Sequence, residues 1–175
     1  SSIVIGEAAA FLMLAIGRNL NLPQTFSDYL WVLLVVFPIC TALFMIVGST
    51  VGQRIPVAHQ FSKFVLVGGL NFLIDLGVLN LLIAATGEAS GFWTSVFKAL
   101  SFLVAVVSSF LWNKFWTFTS LNTDRTSIQF IEFFIVSGIG LAINVGAFAT
   151  FNALGPAGTI PATTWVSIAA GGAAI

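Results

Sequence analysis

Charged side chains are nearly absent from this sequence. Six Lys or Arg and six Asp or Glu amount to 7% of 175 residues, against roughly 25% in ordinary soluble domains. Twelve charges cannot cover a soluble globule of this length. The two signs cancel and no basic run occurs, which leaves nucleic acid without an electrostatic footprint. There is one cysteine, Cys40, and one histidine, His59. A lone cysteine excludes an intrachain disulfide, and the pair cannot build a Cys or His metal cluster, so no metal and no cofactor are expected. Cys40 lies in an apolar stretch, where a free cysteine acts as a small packing residue. Also missing are a G-x-x-x-x-G-K-[ST] phosphate loop, a D-x-D carboxylate pair and a Ser/His/Asp set. No linker is long enough to hold a soluble nucleotide-sugar domain. The chain is therefore not expected to be an enzyme.

What is present is apolar: 58% of residues are hydrophobic and the mean hydropathy is +1.06. A hydrocarbon core of about 30 Å takes roughly 20 helical residues. Six runs qualify as candidates, at residues 3–20, 29–51, 61–85, 92–118, 127–153 and 161–175. The expectation is an all-α integral membrane protein with six transmembrane helices. Pro23, Pro56, Gly87, Gly91, Gly155, Pro156 and Pro161 punctuate the intervals. No basic stretch precedes the first run, so it reads as a mature helix and not as a signal peptide. The last run makes only about 22 Å of helix at 1.5 Å per residue, so the sixth helix reads as truncated.

Orientation follows from Lys and Arg in the short linkers. Residues 52–63 carry Arg54 and Lys63, and residues 113–126 carry Lys114 and Arg125. The opposite side has Arg18 offset by Asp28, then Glu88. Positive-inside asymmetry puts the two basic linkers, and with them the N-terminus, in the cytoplasm.

The sequence also repeats. A shift of 69 residues (130 − 61) lays FIEFFIVSGIGL, from Phe130, over FSKFVLVGGLNF, from Phe61. It superposes Phe133 on Phe64, Val136 on Val67, Gly138 on Gly69, Ile143 on Ile74, Asn144 on Asp75 and Gly146 on Gly77. Matching glycines, and a polar residue at the same depth in both copies, point to a duplicated two-helix unit. An even number of helices per unit gives the copies one orientation, related by an axis along the membrane normal.

Three segments carry a resemblance: FSKFVLVGGLNFLIDLGVLNLL from Phe61, KALSFLVAVVSSFLWNKFWTF from Lys98, and the weaker copy FIEFFIVSGIGLAINVGAF from Phe130. Together they resemble the GtrA-like family of small four-helix membrane proteins. The resemblance covers residues 61–175. It implies a four-helix domain at residues 58–175, with repeat halves 61–118 and 130–175, preceded by a two-helix hairpin at residues 1–57. The family implies translocation of a polyprenyl-phosphate-linked sugar for cell-surface polysaccharide, in a bacterial inner membrane. It equally suggests a non-catalytic scaffold that docks a polyprenyl-phosphate glycosyltransferase. The implied partners are that lipid, the surrounding membrane lipids, a glycosyltransferase and a second copy of the chain.

The residues that could bind a substrate start with Asp75, a carboxylate inside LVGGLNFLIDLGVLN. It lies 12 residues (75 − 63) past Lys63, about 18 Å along its helix. Lys98 lies 6 residues (98 − 92) into the next, antiparallel helix, which brings the two to one depth. An unpaired charge there costs at least ~2.5 kcal/mol, so a pair is expected. Three roles remain open for it: an ion pair fixing helix register, a pocket for a phosphate or sugar headgroup, or a proton-coupling carboxylate. Asn71 sits one turn before Asp75, and Asn144 is the repeat equivalent of Asp75. Ser101, Ser108 and Ser109 follow Lys98 at roughly helical spacing. In FLWNKFWTF, Trp112 and Trp116 suit an aromatic belt at the headgroup level. Asn113 and Lys114, with Lys63 at the same level, are alternatively placed to grip a lipid phosphate. Glu7 is expected at the interface. Gly68, Gly69, Gly77, Gly138, Gly140 and Gly146 are expected to let helices approach closely.

Overall fold

A computed structural model describes residues 2–19, 24, 28–118, 126–155 and 160–173. Among these residues there are six α-helices and no strand. They are α1 (Ser2–Asn19), α2 (Leu33–Gly52), α3 (Pro56–Thr86), α4 (Phe92–Trp112), α5 (Thr126–Ala153) and α6 (Ala162–Ala173). A 3-10 turn, Leu30–Val32, leads into α2. Among the described residues, three segments are long and apolar enough to cross a membrane: Leu30–Gly52, Val57–Thr86 and Phe92–Thr117. Large apolar side chains such as Phe11, Ile39, Leu81, Leu100 and Ile139 face outward, a surface that water would not tolerate at this extent. The chain is an integral membrane protein. Arg125 and the side chains of Phe130, Phe133 and Val136 lie outside the described residues.

α3 is longer than its apolar run suggests. Pro56 occupies the first turn, where a missing N–H costs nothing. Ile55 before it is extended (φ −128°, ψ 91°), as a residue preceding proline prefers. The basic stretch expected as a linker is thus a short turn followed by helix from Pro56 onward. The helix ends at Gly87, whose left-handed φ of 75° lets its N–H donate to the Ile83 carbonyl at 2.7 Å. Its 31 residues span about 46 Å, more than the hydrocarbon core requires. α4 ends in a π-turn, Asn113–Thr117, closed by the Phe118 N–H on the Asn113 carbonyl at 2.9 Å.

α1 and α2 pack on each other and on α3. Where α1 crosses α2, a Cβ on Gly6 would fall 2.6 Å from the Pro38 Cα, so only glycine fits. Thr41 ties the crossing by donating to the carbonyls of Ser2 or Pro38, each at 3.0 Å. Gly48 of α2 abuts Ser62 of α3, and Gly77 of α3 abuts Leu12 of α1. Behind these contacts Ile5, Ala9 and Ile16 interdigitate with Val67, Leu70 and Leu73, with Trp112 and Trp116 packed alongside. The glycine expectation needs correcting. Gly68, Gly69, Gly138 and Gly146 have nothing within 4 Å of a built Cβ, and Gly140 has only ordinary contact with Phe102 at 3.7 Å. Close helix approach is carried by Gly6, Gly48, Gly52 and Gly77, each of which meets a residue of α1, α2 or α3.

The centre of the remaining helices is a single apolar cluster. Leu79, Phe97, Phe148 and Val166 form one cluster, a residue from each of α3, α4, α5 and α6. Leu79 and Phe148 are repeat equivalents (148 − 79 = 69), and so are Phe97 and Val166 (166 − 97 = 69). Positions separated by that shift meet at one core.

Candidate functional site

Along α3 the residues Phe64, Gly68, Asn71 and Asp75 recur at helical spacing and share one face. α4 runs antiparallel against that face and presents Lys98 and Ser101, one turn apart. The Lys98 ammonium pairs with one carboxylate oxygen of Asp75, and the Ser101 hydroxyl bonds the other. Ser101 also lies 3.0 Å from the Lys98 carbonyl. Lys98 and Ser101 are wholly buried and Asp75 is 4% exposed. The pair stands where depth along the two helices predicts it. In a medium of low dielectric each charge is tolerable only because the other is present.

In front of this pair lies a cavity of about 280 Å³ between α3, α4 and α5. Asn71, Asp75, Ser109, Ser137 and Asn144 supply its polar lining, and Phe72, Phe102 and Val106 the apolar part. Asn71 is 8% exposed, and both its Oδ1 and its Nδ2 lack a hydrogen-bond partner among the described residues. Asn144 donates from Nδ2 to the Ala173 carbonyl at 3.1 Å, while its Oδ1 has no partner among them. Buried amides are normally satisfied, and each unmade bond costs roughly 1–3 kcal/mol. Three polar atoms around one cavity thus carry a penalty that a ligand would relieve.

The matching end of the bundle is organised differently. Lys63 of α3 donates to the Trp116 carbonyl at 3.3 Å and sits 5.7 Å from the centre of the Trp116 ring. That carbonyl belongs to the C-terminal end of a helix, where a cation is favoured. The Trp112 and Trp116 rings meet edge to face, 6.0 Å between centres. Asn113 donates to Ser109 at 3.2 Å and accepts from Thr117 at 3.1 Å. Lys114 is buried, with its ammonium 5.9 Å from the Phe110 ring. Of the sequence candidates, Asp75, Asn71, Ser109 and Asn144 line the cavity. Lys98 and Ser101 stand behind Asp75, and Lys63, Trp112, Asn113, Lys114 and Trp116 gather at the helix ends.

Residues 63–173 match the family model described as GtrA/DPMS, transmembrane domain. The chain belongs to this family. No solved structure matches it. Membership makes it a membrane protein of glycan-lipid pathways, and the resemblance read from residues 61–175 coincides with the matched segment. The GtrA segment takes in most of α3, from Lys63 on, and the whole of α4, α5 and α6, including every residue of the cavity. It leaves α1 and α2 outside.

Some members of the GtrA site carry no mark of their own in the sequence. Ser137 lies seven residues before Asn144, two turns back on the same face of α5, a spacing that would have found it. Asn80 accepts from Ser167 at 3.1 Å and donates to the Leu76 carbonyl at 2.9 Å, tying α3 to α6. Thr94, one turn before Lys98, is fully buried with no partner for its hydroxyl among the described residues.

Proposed function

We propose that this protein moves a polyprenyl-phosphate-linked sugar from one leaflet to the other, without catalysing its chemistry. The observation that carries the reading is Asn71, buried and, among the described residues, unpartnered at both ends of its amide, on a cavity that Asn144 also faces. Amides and hydroxyls both donate and accept, which suits the hydroxyl ring of a sugar. The Lys98 ammonium behind this wall is already matched by the Asp75 carboxylate, which leaves no spare cation for a phosphate, so the sugar and not the phosphate occupies this space. At about 30 Å³ per water the cavity would hold about nine waters, room for one sugar ring and not for a chain of several.

In this reading the first five helices cross the bilayer and α6 enters it for about 18 Å, with the N-terminus in the cytoplasm of a bacterial cell. Residues 1–57 form an added hairpin and residues 58–175 the carrier unit. A second copy of the chain or a membrane glycosyltransferase completes the wall of the route. A scaffold that only docks such an enzyme is the second reading. Asp75, Lys98 and Ser101 favour it, because they satisfy one another and require nothing further. The asparagines favour the carrier.

The test reconstitutes the full-length protein in liposomes with labelled undecaprenyl-phosphate-glucose in one leaflet. The carrier reading expects exchange well above protein-free liposomes, returned to that baseline by Asn71→Leu. Exchange at the protein-free rate with the wild-type chain sinks the carrier and leaves the scaffold.

A further inference from the structure

The polar cavity has an apolar counterpart on the other side of the same ridge of α3. A groove of about 660 Å³ runs between α1, α2, α3 and α6, walled almost wholly by carbon. Met13, Phe37, Phe44, Leu73 and Ile168 contribute to it. It follows α3 from Val65 to Leu76, 11 residues (76 − 65) or about 16 Å. The two spaces share a wall. Phe72 lines both, while Gly68 lines the cavity and its neighbour Gly69 the groove. Both glycines are exposed, with nothing within 4 Å of a built Cβ. The ridge separating a polar space from an apolar one is therefore bare backbone at this level.

We infer that one lipid-linked sugar straddles α3 at Gly68–Gly69, with its sugar in the cavity at Asn71 and its isoprenoid tail in the groove built by the α1–α2 hairpin. This rests on the carrier reading and adds a site for the tail. The unpartnered Asn71 amide fixes the polar end of the ligand. The uncovered backbone at Gly68 and Gly69, with the groove on its far side, gives the chain attached to it a way over α3. Lys63 is the one Lys or Arg on α3. Its ammonium stays on the Trp116 carbonyl, about 140° around the helix from Gly68, so the phosphate between the two ends crosses the ridge in the open. The inference also gives the hairpin a purpose, since the GtrA segment alone would leave the groove without the wall that Met13, Phe37 and Phe44 form.

The experiment uses the full chain in nanodiscs with two photoreactive forms of undecaprenyl-phosphate-glucose. One carries a diazirine on the sugar and the other a diazirine on the third isoprene unit. The sugar probe is expected to label α5 near Ser137, and the tail probe to label Met13, Phe44 or Ile168. Gly69→Phe, which places a ring in the groove, should lower tail labelling there and leave sugar labelling at α5 in place. A ring displaces about ten carbon–carbon contacts, small singly but together about tenfold in occupancy. Ile168→Trp fills the groove from the opposite wall and should act alike, so misfolding of one variant does not decide the matter. Tail labels scattered over outward positions such as Leu100 and Ile139, with sugar labels still at α5, overturn this inference alone. Loss of the groove label to excess diacyl phosphatidylglycerol overturns it as well, since any lipid tail would then fill the groove. Sugar labels absent from α5, or unchanged by Asn71→Leu, overturn the carrier reading beneath it.

Discussion

Lys98 and Asp75 pair at the interface of α3 and α4, the amine wholly buried and the carboxylate nearly so. The Ser101 hydroxyl completes the carboxylate from one turn further along α4. Neither charge has another opposite charge to turn to among the described residues. The two helices are held in one register by this contact, because sliding either by a turn would strand both charges in an apolar medium.

Removing one partner should therefore be worse than removing both. Asp75→Asn or Lys98→Gln alone should cost about 3–5 kcal/mol of unfolding free energy, the usual penalty for orphaning a buried charge. The double variant should fall short of the sum of the two by more than ~1 kcal/mol. Denaturant unfolding in detergent micelles reads all three, and exchanging the two residues should recover part of the loss. Strict additivity would mean that the pair does not couple.

Asn71 makes the opposite prediction. Its amide forms no bond among the described residues, so Asn71→Leu removes a desolvation cost and should raise stability by roughly 1 kcal/mol. The same change should abolish leaflet exchange. A residue that weakens the fold while serving the ligand is what a binding site requires. A clear loss of stability on substitution would instead make Asn71 a structural residue.

Glycine positions separate packing from access. A Cβ at Gly48 would run into the Ser62 side chain, so Gly48→Ala should cost about 1–3 kcal/mol as α2 is pushed from α3. Gly68 faces open space, so Gly68→Ala should be neutral or gain up to ~1 kcal/mol in helix propensity. Thermal unfolding of the two variants side by side checks the contrast. Equal losses would place a helix over Gly68.

Much of this arrangement is legible in the residues alone. Apolar runs and breakers locate the helices, because lipid leaves a backbone few alternatives. The depth of Asp75 and Lys98 follows from residue counts, since the rise per residue of a helix is fixed. The rotation of each helix is not legible. An apolar segment in lipid is hydrophobic on every side, so no stripe marks its buried face. That is why Gly68 and Gly69 of α3 read as helix contacts when they face open space, and why Ser137 stays unmarked beside Asn144. The π-turn at Asn113–Thr117 has no compositional signal either, and it shifts the placement of Asn113 and Lys114 relative to a regular helix.

Lys63 offers the last test, because two contacts converge on one ammonium. It donates to the Trp116 carbonyl and lies over the Trp116 ring, locking the start of α3 to the end of α4. The helix-end interaction is worth about 0.3–1 kcal/mol and a partly desolvated cation–π contact about 0.5–2 kcal/mol. Lys63→Met, which keeps the apolar stem, should lose about 1–2 kcal/mol, and Trp116→Leu should lose the ring contact while sparing the carbonyl. If the ammonium also meets the lipid phosphate, Lys63→Met should slow leaflet exchange beyond what its stability loss explains, whereas Trp116→Leu should not. Matching losses of exchange in the two variants would confine Lys63 to holding the helices together.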